Sequence, residues 1–444
     1  MKLRLGALGA LLGVLGSSCG GGSGASNPVY STTGTLGTPT STLVGTNLVF
    51  IDAALNGMGE IDPTLNFGVL IDTGSPTVLI DPTFFSETPT TVTDANVQTS
   101  VNLGLLQGGT AIVTLDNIPA LQLSSAMMDE IGFGGILGGN VMRQFSVQLD
   151  YTAPLMEGFC LGCTSGPRSD VESPGASIPF SLKGGSGGRP EQVELSATVT
   201  PVVSMIPATR IPVTVTIEGT DHPFMLDTGA SEVSIRSTVY SNLVQDGRTQ
   251  LMGFGVETVE GGSAASVTRA KTITVGGETV TNVPVMTIMS NPADDLLTHL
   301  SQEIDPSGAT QIDGLLGGSF LRNFLVTIDY PNGQLHLQRY NTETWVDEFK
   351  RIGVDIASTP EANRHWYAID LVYPGTDAEK QGLVKGDEIL SIDGTSLDGL
   401  GWIDADLLLD GAVGTTKTIV YSLTDTSAPA TLSVLVDDLI PDSQ

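Results

Sequence analysis

The sequence predicts a mainly β protein: a β unit present in two copies, each with one acidic loop, followed by a smaller α+β domain. Three observations predict it. Gly, Thr, Val and Ser are abundant, the composition of strands and turns. Two sequence blocks recur in the same order in the two halves. After residue 343 the repeat ends and a different, Gly-punctuated pattern begins.

The first nineteen residues read as an export signal. Lys2 and Arg4 form a basic start, residues 5–15 form a short apolar run, and Gly16-Ser17-Ser18 leads to Cys19. The run is too short to span a bilayer, and no later stretch is long and apolar enough. The segment resembles a bacterial lipoprotein signal, although Leu15 sits one position too early. That resemblance implies lipidation of Cys19, a membrane association by lipid anchor only, and a place in the periplasm or on the outer membrane or cell surface. The alternative is an ordinary cleaved signal with an incidental cysteine. Residues 20–42, Gly/Ser/Thr-rich and nearly uncharged, read as a flexible tether.

Charge excludes one class of partner. With 19 Lys+Arg against 49 Asp+Glu the net charge is −30, which repels phosphate backbones, so no nucleic-acid binding is expected. Cys160 and Cys163 are spaced C-x-x-C. A redox motif wants a βαβ context and zinc wants a second ligand pair. Neither is visible, so outside the cytosol a local disulfide is expected. His222, His299, His336 and His365 share no ligand spacing, and no metal or other cofactor is expected.

The repeat carries the chemistry. Phe67-Gly68-Val69-Leu70-Ile71-Asp72-Thr73-Gly74-Ser75 is matched by Pro223-Phe224-Met225-Leu226-Asp227-Thr228-Gly229-Ala230-Ser231, with 227 − 72 = 155 positions between the two Asp residues. Downstream, Gly135-Ile136-Leu137-Gly138-Gly139 is matched by Gly314-Leu315-Leu316-Gly317-Gly318. Each runs on to a Phe-x-Val-x-apolar-Asp-Tyr tail, ending at Tyr151 and Tyr330. Two ordered pairs indicate a duplicated domain. The first copy spans 43–163 and the second 201–342. Between them a polar linker at 164–200 contains Gly184-Gly185-Ser186-Gly187-Gly188. That stretch matches G-x-S-x-G formally, but it lacks the strand and helix a nucleophile elbow needs. Period-two alternation in Val213-Thr214-Val215-Thr216-Ile217, with turns at Gly276-Gly277 and Pro331-Asn332-Gly333, reads as β-hairpins.

In each copy an apolar strand delivers an Asp to a tight loop. Gly74 and Gly229 let the backbone approach the carboxylate, and Thr73 and Thr228 offer hydroxyls that can bridge to the facing loop. If the loops meet across a pseudo-twofold axis, two like charges at close range cannot both ionise. The pair then holds one proton, one member serving as base for water and the other as acid for a peptide carbonyl.

These motifs resemble the pepsin and retropepsin superfamily of aspartic proteases, over roughly residues 43–340. The resemblance implies two acid-protease β-barrel lobes related by a pseudo-twofold, with Asp72 and Asp227 catalytic. Thr73, Gly74, Ser75, Thr228, Gly229 and Ala230 then support the loops, and the strands ending at Gly138 and Gly317 pass beneath them. It further implies that Ser75 hydrogen-bonds Asp72 and favours its charged form, leaving Asp227 as the proton carrier. Retropepsins usually carry Arg where this chain has Gly139 and Gly318. That Arg supports a dimer interface, which a fused chain can do without, so a monomer is expected; a dimer with lobes paired between chains is the alternative. Flap candidates are the Gly-rich stretches 104–109 and 253–262, which read equally as plain surface turns.

Residues 343–444 contain Pro374-Gly375-Thr376-Asp377-Ala378, Gln381-Gly382-Leu383, Gly386-Asp387-Glu388-Ile389 and Ile392-Asp393-Gly394. This resembles the core of bacterial PDZ domains, with Asp377 in place of Pro and Gln381 in place of Ala. The resemblance implies capture of C-terminal peptides by the loop Arg351-Ile352-Gly353-Val354, with Arg351 a counter-charge and a facing helix within 402–409. Taken together, the sequence predicts an exported aspartic endopeptidase acting on peptides or unfolded proteins. The rival reading is a non-catalytic envelope lipoprotein that binds peptides through a cleft and the PDZ groove.

Overall fold

The computed structural model describes residues 31–34, 37–39, 41–44, 47–55, 59–60, 68–81, 97–122, 134–152, 158–184, 208–258, 261–288, 292–342, 345, 347–361, 364–400, 402–422 and 428–441. The signal, Cys19 and most of the tether lie outside these residues. The fold is mainly β and divides into two compact units, the second being essentially Trp345–Gln444.

In the first unit the repeat is realised strand by strand. The strand Val69–Ile71 lies parallel to Gly135–Leu137, which pairs antiparallel with Val78–Ile80. In the second copy Thr220–Leu226 lies parallel to Gly314–Leu316, which pairs antiparallel with Val233–Ile235. Every residue of the three-residue strands is buried, so they are largely apolar, Ser234 being the polar exception. One-turn helices follow at Gly139–Met142 and Gly318–Leu321.

The two copies join through their tails. Ser146–Asp150 pairs antiparallel with Phe324–Asp329 in the register Ser146↔Asp329, Gln148↔Thr327, Asp150↔Leu325. Gln148 and Thr327 hold equivalent places in the repeat, so exchanging the copies maps this register onto itself. A local twofold therefore passes through that pair, where Gln148 Nε2 donates to Thr327 Oγ1 at 2.9 Å. The five-stranded sheet is completed by Phe159–Leu161 on one side, then by Gln334–Arg339 and Ala176–Pro179 on the other.

Two expectations about connecting segments change. Ser31–Gly34, assigned to the tether, pairs with the strand Thr110–Gln122. Ala176–Pro179, assigned to the linker, pairs with Gln334–Arg339. Both are four-residue edge strands, Ile178 being their one large apolar residue, with too little apolar alternation to be told from loops. Cys160 and Cys163 are joined by a disulfide at the end of Phe159–Leu161.

The second unit is a sheet in the order Lys350–Ile352, Ala430–Asp438, Thr416–Ser422, Glu388–Ile392, Arg364–Val372, Val354–Glu361. Short helices form at Asp377–Lys380 and Trp402–Leu407. Asp393 and Gly394, with φ of 49° and 81°, make the tight turn from Glu388–Ile392 into Thr395–Ser396. Val354–Glu361 is an edge strand.

Candidate active site

The two Asp-Thr-Gly loops meet face to face. Asp72 and Asp227 are each 0% exposed. Their amides are held from below: Asp72 N–H donates to Leu137 O at 3.2 Å, and Asp227 N–H to Leu316 O at 3.1 Å. These acceptors are the last residues of the strands that precede Gly138 and Gly317. The Thr73 amide donates to Thr228 Oγ1 at 3.0 Å, and the Thr228 amide to Thr73 Oγ1 at 3.1 Å. Each hydroxyl in turn donates across the junction, Thr73 to Leu226 O at 3.0 Å and Thr228 to Ile71 O at 2.8 Å. All four bonds are buried, so the amide and hydroxyl of each threonine find partners.

This lock sets each carboxylate against the other loop. A Cβ on Gly74 would lie 2.6 Å from the Asp227 carboxyl carbon, and one on Gly229 would lie 2.5 Å from that of Asp72. Glycine is required at both places because the opposite carboxylate occupies the space of a side chain. Asp72 Oδ1 accepts from the amides of Gly74 at 2.7 Å and Ser75 at 3.1 Å, and Asp227 Oδ1 accepts from Gly229 at 3.0 Å. The two Oδ2 atoms have no hydrogen-bond donor among the described residues.

Burial pushes both carboxyls up. For Asp72 the neighbouring Asp227 charge adds to the rise, while the Gly74 amide and the Arg210 charge oppose it. For Asp227, burial is opposed by the neighbouring Asp72 carboxyl, by loop amides and by Arg210. The expected Ser75–Asp72 bond is not formed: the Ser75 hydroxyl donates to Thr77 O at 2.8 Å.

The glycines in place of the retropepsin arginine have a steric reason. A Cβ on Gly139 would come within 2.5 Å of Thr209 Cβ, and one on Gly318 within 2.6 Å of Asn47 O. Thr209 and Asn47 are equivalent residues leading into the outer strand of each copy, so each glycine is where one copy touches the other. Arginine appears four residues later: Arg143 donates to Ala208 O at 3.0 Å, and Arg322 to Asn47 Oδ1 at 2.9 Å. Ala230, buried at 0% exposure, donates its amide to Asp227 O and accepts that of Gly318.

Sequence reasoning missed Arg210, Asn47 and Thr209. It quoted Tyr151 and Tyr330 only as the ends of the repeat. Both phenols are buried and pushed up, first by burial and then by the carboxylate of the other copy, Asp227 for Tyr151 and Asp72 for Tyr330. They stay neutral beside the pair. Aligning the two copies position by position would have flagged the tyrosines and the two arginines.

The flap candidates separate. Thr110–Gln122 runs parallel to Val78–Ile80 as Glu278–Ile288 does to Val233–Ile235. Gly108-Gly109 is therefore the counterpart of Gly276-Gly277, and all four have positive φ as a two-residue hairpin turn requires. Stretch 104–109 ends in a plain turn. Stretch 253–262 belongs instead to the hairpin of Leu251–Thr258 and Gly261–Val275, whose tip lies outside the described residues.

In the second unit Arg351 does not act as expected. It is 0% exposed and bonds Asp410 at 2.6 and 2.8 Å, Asp406 at 2.9 and 3.1 Å and Asp355 at 3.3 Å. Three carboxylates surround one guanidinium, so it is not available to an incoming carboxylate. The Ile352 amide is also engaged, donating to Leu409 O at 3.0 Å. Val354 is buried at the start of the edge strand, and the space beside Gly353 is filled by the Thr376 side chain. No cluster of three or more His, Cys, Asp or Glu able to hold a metal ion occurs among the described residues.

No curated protein matches the chain. A solved retropepsin-like aspartic protease from Rickettsia conorii is similar at 18% identity, over 29% of this chain and 90% of that one, with a TM-score of 0.21. A photosystem II D1 C-terminal processing protease is similar at 25% identity over 20% of this chain, with a TM-score of 0.19. The chain spans only 23% of that protein's length. The family of gag-polyprotein putative aspartyl proteases matches residues 213–323, so the second copy, with Asp227 near its start, is similar to retropepsin-like aspartic proteases.

Proposed function

We propose that the chain is an aspartic endopeptidase that hydrolyses peptide bonds at Asp72 and Asp227. The observation that carries this reading is the reciprocal Thr73–Thr228 lock, which presses each carboxylate against the glycine of the other loop. Two buried carboxyls so close share one proton. The ionised member takes a proton from water as its oxygen attacks the scissile carbonyl carbon. The protonated member gives its proton to the carbonyl oxygen. The resulting tetrahedral diol collapses as a proton passes to the leaving nitrogen, and the pair returns to its singly protonated state. No covalent intermediate is needed.

Both carboxylates belong to one chain, which supports a monomeric enzyme. Lipidation at Cys19 would tether it in the bacterial envelope, with peptides or unfolded proteins as substrates. The C-terminal unit is read as a PDZ-like domain. Its edge strand Val354–Glu361 would accept a peptide as an added strand beside the helix Trp402–Leu407, with backbone amides and not Arg351 receiving the carboxylate.

The test is cleavage of a mixed peptide library across pH by the protein from residue 20 onward, beside Asp72→Asn and Asp227→Asn. Cleavage by the wild type that is lost in both variants supports the reading. A folded wild type that cuts nothing at any pH overturns it in favour of peptide binding without catalysis.

A further inference from the structure

The two copies are not electrostatically equivalent around the dyad. Pro212 pairs with Met225 and Val213 with Phe224, and the Leu226 amide donates to Ile211 O at 2.9 Å. Continuing this register one residue sets Arg210 opposite Asp227. In the first copy Phe50 pairs with Leu70 and Ile51 with Val69, so the residue opposite Asp72 is Leu48. One carboxylate thus faces an arginine position and the other a leucine.

Arg210 is built in. It is 1% exposed, and its backbone exchanges hydrogen bonds with Lys183, at 2.9 and 3.0 Å. Its guanidinium reaches Glu303, at the end of the helix Pro292–Ile304, with N–O distances of 3.1 and 3.3 Å. Gly184 leaves room for this pair: a Cβ there would come within 2.5 Å of Glu303 Oε1 and 3.0 Å of Arg210 Cγ. The first glycine of the Gly184-Gly185-Ser186-Gly187-Gly188 stretch thereby gains a structural role.

We propose that Arg210, oriented by Glu303, is a positioning residue that breaks the symmetry of the dyad, making Asp227 the ionised base and Asp72 the proton holder. The proposal rests on the protease reading for its catalytic meaning, but not for its electrostatics. A guanidinium is always charged, and in a buried site its field favours an anion at the nearer carboxylate. Arg210 opposes the rise at both carboxyls, and the strand register places it opposite Asp227. The buried phenols of Tyr151 and Tyr330 also feel the dyad and stay neutral. The Arg210 guanidinium is paired with Glu303, which partly cancels its field.

Two variants of the same ion pair should shift the pH profile in opposite directions. Arg210→Met removes the cation, so both limbs of the kcat/KM profile move up by about one pH unit. Glu303→Gln leaves the cation uncancelled, so both limbs move down. Arg210→Lys keeps the limbs near their original place. A purely structural role would lower activity or stability in both variants without opposite shifts. The independent readout is a carboxyl 13C titration of the full chain, assigned with Asp72→Asn and Asp227→Asn. In the wild type Asp227 ionises first, and in Arg210→Met its midpoint rises. If Arg210→Met does not fold, Glu303→Gln and Arg210→Lys carry the test. Limbs and midpoints that stay put, or that move the same way in both charge variants, overturn the proposal. An inactive wild type whose Asp227 midpoint still responds to Arg210 overturns only the protease reading.

Discussion

Thr73 and Thr228 each give an amide hydrogen to the other's hydroxyl, so two residues 155 positions apart in sequence form a closed ring of hydrogen bonds beneath the paired carboxylates. Each hydroxyl also donates to the carbonyl just before the opposite Asp. The ring therefore fixes the distance between the loops as well as their orientation, and the geometry of the dyad depends on it.

Removing one hydroxyl should break the ring at two points. Thr73→Val strands the Thr228 amide and the Leu226 carbonyl, at about 1–3 kcal/mol for each orphaned group. Thr73→Ser keeps the hydroxyl and loses one methyl, at about 1 kcal/mol. Chemical denaturation should rank wild type, Ser, then Val, and peptide cleavage should fall in the same order. A valine variant as stable as the serine variant would show that the ring contributes nothing.

The dyad should cost stability at neutral pH. Both carboxyls are raised in the folded protein by burial, and Asp72 further by the Asp227 charge. The folded state thus binds protons more tightly than the unfolded chain. The stabilisation this gives is complete below the ordinary carboxylate value and is lost as pH rises through the raised values. Asp72→Asn removes one charge from the pair and keeps its shape. Its denaturation midpoint should exceed that of the wild type at pH 8, and the difference should vanish near pH 4. A variant less stable at both would refute this.

How much of this was legible in the sequence depended on whether the signal was contiguous. The Asp-Thr-Gly loops and the strands ending at Gly138 and Gly317 are unbroken words that recur, so the repeat exposes them. Arg210 acquires meaning only from lying opposite Asp227, a fact of strand register. Arg351 read as an available cation because Asp406 and Asp410, which engage it, lie 55 and 59 residues further on. Ser75 carried the right group, but the loop turns its hydroxyl toward Thr77. Family resemblance could not anticipate that local choice.

The contact points between the copies make an asymmetric pair of predictions. Gly139→Ala meets only the Thr209 side chain, whereas Gly318→Ala meets the Asn47 and Ser231 carbonyls at 2.6 and 2.8 Å as well as Asn47 Cβ at 2.7 Å. Both should destabilise, by about 1–3 kcal/mol for an overpacked site. Thr209→Gly should restore stability to Gly139→Ala. Asn47→Gly should not rescue Gly318→Ala, because the clashing oxygen remains and the Arg322 partner is lost. Four denaturation curves decide it, and equal rescue at both sites would contradict the packing.

The second unit should carry its own pH dependence. Asp410 shares Arg351 with Asp406 and Asp355, so one cation faces three carboxylates in a buried site. Burial pushes the Asp410 carboxyl up to about 7, with the Asp406 charge adding and Arg351 opposing. A raised folded value means that protonation stabilises the fold. The contribution is complete below the unfolded value near 4 and disappears as pH rises through about 7. Calorimetry of the full chain should therefore show a transition that moves to lower temperature between pH 5 and pH 8. Asp410→Asn cannot titrate and keeps an oxygen for Arg351, so it should flatten that movement. An equal slope in the wild type and the variant would mean that Asp410 is ionised throughout. The Arg351 guanidinium would then satisfy all three carboxylates at once.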